Sequence, residues 1–184
     1  MHFFKHLHTI NRHRRLVRKY CFKLGLYWQG LTHDLSKYSP TEFLVVAKFY
    51  TGHFSPNKGE RDEKGYSESW MHHKGRNRHH YEYWTDYSAK TDNPLEPMEM
   101  PVKYFAESIA DRIAASRVYH GANYTDGDSL EYFLTREKPS HMHINTYNEL
   151  MKVLTMLKDK GEDETFEYLR MKLREAKKAK SYDN

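Results

Sequence analysis

Apolar side chains recur at three- and four-residue steps near the start of the chain. Phe3, Leu7, Ile10, Val17, Tyr20 and Leu24 fall on one stripe of a helix running from Phe3 to Leu24. His13 lies inside that stripe, between Ile10 and Val17, while Arg12, Arg14, Arg15, Arg18 and Lys19 take the other faces. A shorter helix carrying Leu31, His33, Asp34, Leu35 and Tyr38 is expected after Gly25. Ser39-Pro40-Thr41-Glu42 then has the form of a capping box with proline at the first helical position, starting a third helix through Tyr50.

The polar stretch from Thr51 to Gly65 reads as a loop. Tyr66 to about Trp84 reads as helix, with Gly75 as the place where it bends or breaks, and the proline-punctuated run Thr85 to Met100 as another loop. Pro101 to about His120 is a strong helix whose Ala110, Ala114 and Ala115 let a neighbour pack closely. Past a turn at Gly121 to Gly127, Asp128 and Glu131 open a short helix to about Lys138. A helix from roughly His141 to Lys160 carries Ile144, Tyr147, Leu150, Met151, Leu154 and Leu157 on one side. A last one from near Asp163 buries Phe166, Leu169 and Leu173 before the basic tail Lys177 to Lys180. No segment alternates as a strand does. The expected fold is all-α, one compact domain of seven or eight helices over residues 1–184, with the chemistry in residues 6–120 and packing helices in 128–180.

Composition changes this picture at one residue type. Hydrophobic residues are sparse at 38%, but aromatics at 15% supply bulk for a core. No apolar run approaches the roughly 20 residues of a membrane span. The basic N-terminus lacks the apolar region of a signal peptide, and the single cysteine, Cys21, suits a reducing cytoplasm. The formal net charge of +5 is mildly basic; it is compatible with an anionic partner such as a nucleotide and too weak to name one. Histidine stands apart: there are thirteen, and their positions are patterned.

His13 on an apolar face is, alone, an ordinary core histidine. Asp34 is more telling, because a carboxylate at helical spacing from Leu31 and Tyr38 is costly unless it is paired or bound to a cation. Between Trp70 and Trp84 stand His72, His73, His79 and His80, four imidazoles within nine residues. In a continuous helix Trp70, His73, Asn77, His80 and Trp84 would share one face, with His72, Arg76, His79 and Tyr83 in the adjacent register. Whether His72 or His73 points inward depends on one residue of helical phase. Asp111 also faces apolar surroundings, and Glu107, one turn earlier, is placed to join the site or to orient a histidine. Imidazole and carboxylate together suit Mn, Fe, Co, Ni or Zn, as one ion or two.

This order of groups on helices resembles the HD-domain superfamily, whose members are mostly metal-dependent phosphohydrolases. His33-Asp34-Leu35-Ser36-Lys37 is similar to that family's histidine-aspartate segment, His79-His80-Tyr81-Glu82 to the histidine pair of its two-metal branch, and Ala110 to Ser116 to the helix bearing the last aspartate ligand. The resemblance implies a first metal on His13, His33, Asp34 and Asp111. It implies a second on His79, His80 and His73 (or His72), with Asp34 bridging. No Gly-Tyr-Pro follows the histidine pair, so hydrolysis of cyclic dinucleotides is not implied.

The expected activity is hydrolysis of a phosphomonoester or phosphodiester in a nucleotide-like small molecule. Lys37, Glu107 and Arg112 are candidates for catalytic roles, and Lys37, Arg76, Arg112 and Arg117 for binding the phosphate. Two other readings stand beside it: a di-iron oxygenase of the same fold, and a non-catalytic protein that binds nucleotides or nucleic acid.

Overall fold

The computed structural model describes residues 3–49, 56–88, 95–136 and 141–182. Among them are eight α-helices: α1 (Phe3–Lys23), α2 (Tyr27–Thr32), α3 (Pro40–Phe49), α4 (Pro56–Lys64), α5 (Glu68–Lys74), α6 (Val102–His120), α7 (Asp128–Arg136) and α8 (Ile144–Tyr182). The all-α expectation holds. Two-residue strands β1 (Thr85–Asp86) and β2 (Glu96–Pro97) pair antiparallel in a segment expected to lack strands. No described helix is long and apolar enough to cross a membrane.

α6 is the central element. Phe105 to Ala110 are buried without interruption, and Ile109, Ala110, Ile113 and Ala114 are fully so. A helix buried on most of its circumference must be covered on more than one side. α1 covers it with Val17, Tyr20 and Cys21, and α8 with Leu150, Val153, Leu154, Leu157, Phe166 and Leu169. From Ile10 to Leu24 the stripe read from the sequence is the buried one, with His6 and His13 also buried; Phe3, at its start, is exposed. Ile10, Phe43 and Ala47 form a second, smaller core that fastens α3 to α1.

Several sequence expectations require correction. The second helix ends at Thr32; Asp34 follows in the left-handed region (φ 54°, ψ 28°), and Leu35–Tyr38 is a 3-10 turn. Within the expected loop Thr51–Gly65 lies α4. Its charge density comes from helical i,i+4 pairs, Lys58–Asp62 and Glu60–Lys64, and Glu60 is buried under the Ser67 and Ser69 hydroxyls. The helix expected over 66–84 stops at Gly75; α5 starts from Ser67, whose hydroxyl caps the Trp70 N–H, and only a 3-10 turn at Tyr81–Tyr83 follows. Ala115 is only partly buried, so the close-packing alanines of α6 are Ala106, Ala110 and Ala114. α8 runs on through the expected gap but is interrupted at Gly161 (φ 82°, ψ 179°), a conformation open to glycine and almost no other residue. The expected helix ends at Tyr50 and Lys138 lie outside the described residues.

Candidate metal centre

Four segments meet on the side of α6 that carries Glu107 and Asp111. α1 brings His13, the turn after α2 brings His33 and Asp34, α5 brings His73, and the turn beyond Gly75 brings His79 and His80. The two turns are held by specific bonds. Arg14 donates to the carbonyl oxygens of His33 (2.8 Å) and Leu31 (3.1 Å), fixing the chain as it enters the left-handed residue. Asn77 donates to the His73 carbonyl (2.8 Å) and to the Ser36 hydroxyl (2.8 Å), so the chain turns back toward the site once α5 ends. Arg78 donates to the hydroxyls of Tyr83 and Tyr104, tying that turn to α6.

Asp34 is fully buried and lies between two groups of ligands. Its Oδ2 is 3.3 Å from His33 Nε2 and 3.6 Å from His13 Nε2, while Asp111 Oδ1 is 3.0 Å from His13 Nε2 and 3.3 Å from His33 Nε2. Its Oδ1 faces the other way, 3.4 Å from His73 Nε2 and 3.5 Å from His79 Nε2, with His80 completing the second group. Ligand atoms about 2.1 Å from a common ion stand about 3.0 Å apart at right angles and about 3.4 Å apart at the tetrahedral angle. The edges given above, 3.0–3.6 Å, lie within or just above that range. Asp34 Oδ1, His79 Nε2 and His80 Nε2 are buried and accept or donate no hydrogen bond. Buried polar atoms are rarely left so, and a cation coordinated by all three accounts for them. The donor set therefore fits one or two divalent ions.

The rings are aimed by carboxylates behind them. Glu107 Oε1 accepts from Nδ1 of His33 (2.9 Å) and of His79 (3.2 Å), one ring from each group. Glu42 accepts from His73 Nδ1 (2.8 Å) on one oxygen and from His72 Nδ1 (2.6 Å) on the other. With Nδ1 donating to a carboxylate, Nε2 is the ring nitrogen that His33, His73 and His79 turn into the cluster, where a metal would take the place of any proton it carries. His73 is thus the inward member of its pair, and His72 stands outside.

Burial works against charge throughout this cluster, and the charged neighbours overcome it at most positions. His33 is raised well above the usual histidine range because, against burial, the Asp34 carboxylate and bonds to Asp111, Asp34 and Glu107 favour its cation. Asp34 is held well below the usual carboxylate range, against burial, by His33, Lys37 and His73. Asp111 is held down in the same way by His13 and His33. At His80 burial prevails, helped by His79 and His73, and the ring is kept neutral, the form that binds metals.

Lys37 lies at the edge of the cluster, partly exposed, with its Nζ 2.5 Å from Asp34 Oδ2. The other candidate cations fall elsewhere. Arg76 is exposed with one N–H on the His72 carbonyl, and Arg112 lies over the Phe133 ring on the α7 side of α6. Arg117 is committed to Glu162 (2.7 Å) and the Tyr124 ring. Of the candidate catalytic residues, Glu107 and Lys37 are in the cluster and Arg112 is not. The supporting roles of Glu42, Asn77 and Arg14 carry no signal of their own in the sequence. The capping box already accounts for Glu42, although its carboxylate turns inward onto the two histidines.

Residues 2–156 match the family of unknown function DUF5662. The chain belongs to that family. All ligands of the cluster lie inside the DUF5662 match, as do Glu42 and Glu107. No curated protein and no solved structure matches the chain.

Proposed function

We propose that this DUF5662 protein is a metal-dependent phosphohydrolase acting on a phosphomonoester or phosphodiester of a nucleotide-like small molecule, as its resemblance to the HD-domain superfamily suggests. The observation that carries this reading is Asp34, one carboxylate with each oxygen turned to its own set of imidazoles. His13, His33, Asp34 and Asp111 would hold one divalent ion, and Asp34, His73, His79 and His80 a second. Such ions supply acidified water and polarisation of a phosphoryl oxygen. Glu107 and Glu42 keep the ring lone pairs aimed inward. The Lys37 ammonium, close to the bridging carboxylate and reachable from solvent, would neutralise a phosphoryl oxygen as a point charge.

The test is elemental analysis of untagged protein, reconstituted with Mn, Fe, Co, Ni or Zn, beside Asp34→Asn, followed by a screen of phosphate mono- and diesters. One or two equivalents of metal and hydrolysis of at least one ester are expected, both abolished in Asp34→Asn. Absence of transition metal after reconstitution, or full hydrolysis by Asp34→Asn, would overturn the reading. Two irons with oxygen uptake in place of hydrolysis would replace it with oxygenase chemistry.

A further inference from the structure

Charge in this chain is segregated. α1 carries seven Lys and Arg and no Asp or Glu, and residues 168–182 carry six against one. These two segments hold twelve net positive charges, so the rest of the chain is net negative by seven. They are also neighbours: Arg170 of α8 reaches the carbonyl of Lys23 at the end of α1, and Lys23 lies over Phe166. Several cations elsewhere are spent on carboxylates, as in Lys48–Glu63, Lys58–Asp62 and Arg117–Glu162. On α1, Arg12, Arg15, Arg18 and Lys19 are exposed and meet no carboxylate among the described residues. Unpaired like charges held side by side cost stability through repulsion, and a polyanion would offset that cost.

The surface is also shaped. Asn11, Arg14, Arg15 and Arg18 line one side of a groove of about 220 Å³, with Gly30 of α2 at its floor. The Phe22 ring lies beside Gly30 with Tyr27 packed edge-on against it at 5.2 Å, and the Arg14 guanidinium lies over the Tyr38 ring. The exposed guanidinium groups of Arg15 and Arg18 suit bidentate binding of phosphate, and the exposed rings of Phe22, Tyr27 and Tyr38 nearby suit stacking of bases. Exposed rings beside the cations favour unpaired bases over a duplex, whose bases are already stacked on one another. The exposed positions from Arg12 to Lys19 place no apolar side chain between the cations to enter a lipid layer.

We propose that the cationic face of α1, with the arginine-lined groove it forms against α2, binds single-stranded nucleic acid, its track continuing along the basic end of α8. This is independent of the metal reading, because Arg15 and Arg18 touch no residue of the ligand cluster.

The test is fluorescence anisotropy of the full-length protein with a labelled oligothymidylate and an oligouridylate across a range of salt. Binding should weaken linearly in log–log form as salt rises. Arg15→Gln/Arg18→Gln should weaken it about tenfold near 50 mM salt. It should also flatten the slope by about 1.4, because each phosphate left unneutralised on a single strand removes roughly 0.7. Both arginines are exposed, and an unchanged thermal midpoint confirms that the variant is folded. Lys58→Gln, off the track, should bind as the wild type does. No binding at low salt, or equal binding by the double variant, would overturn the proposal. So would tighter binding to anionic phospholipid vesicles than to either oligonucleotide, which would make the face a membrane-binding surface.

Discussion

Glu107 receives one histidine from each ligand group on a single oxygen, whereas Glu42 receives only His73 from the cluster. The two carboxylates should therefore fail differently. Glu107→Gln is expected to weaken both metal sites, by about 10- to 100-fold as is usual when an orienting partner is removed, and Glu42→Gln only the site containing His73. Calorimetric titration of the two variants would resolve one or two altered binding steps. His6 offers a separate test. Burial and the Lys37 ammonium hold its pKa at about 4, against 6.5 when free. Between those values the unfolded chain takes up a proton that the folded ring refuses, so the contribution of His6 to stability falls as pH falls from 6.5 toward 4. The full effect is about 3 kcal/mol at about 1.4 kcal/mol per pH unit, and His6→Leu should remove it, leaving a flatter stability curve by denaturant titration. At this scale the sequence is informative where a polar group interrupts an apolar stripe, as at His13 and Asp111. It is silent on Glu42 because a local capping role already explains that residue.

The elements that carry the ligands are short and depend on their surroundings. α2 spans six residues and is set by Gly30, where a Cβ would stand 3.0 Å from the Cys21 Cβ and 3.1 Å from the Phe22 ring. Gly30→Ala should cost about 1–3 kcal/mol of overpacking. It should also push α2 off α1, reducing metal affinity through His33 and Asp34; thermal melts with and without metal would separate the two effects. The long helices are legible from periodicity alone, because three or more turns repeat the signal. α4 and the end of α5 are not. α4 buries a carboxylate under serine hydroxyls rather than an apolar stripe, and one residue, Gly75, takes the chain out of helical phase. His79 and His80 thus reach the site by a turn, not by a helix face shared with His73.

For the whole molecule, the ligands come from positions as far apart as His13 and Asp111, so the site exists only in the folded chain. A metal that binds only that state should stabilise it by about 2.7 kcal/mol at a hundredfold excess over Kd. That corresponds to a rise in midpoint of about 5–10 °C for a chain of this size, which a chelator should reverse and Asp34→Asn should lack. The separation of charge has a consequence of another kind. With a net charge of +12 gathered on α1 and the end of α8 and a net −7 over the remainder, the molecule is a strong electric dipole whose net charge understates its field. On a cation-exchange support it would be held by one face, in one orientation. It would leave only at a higher salt concentration than a protein with five charges spread evenly.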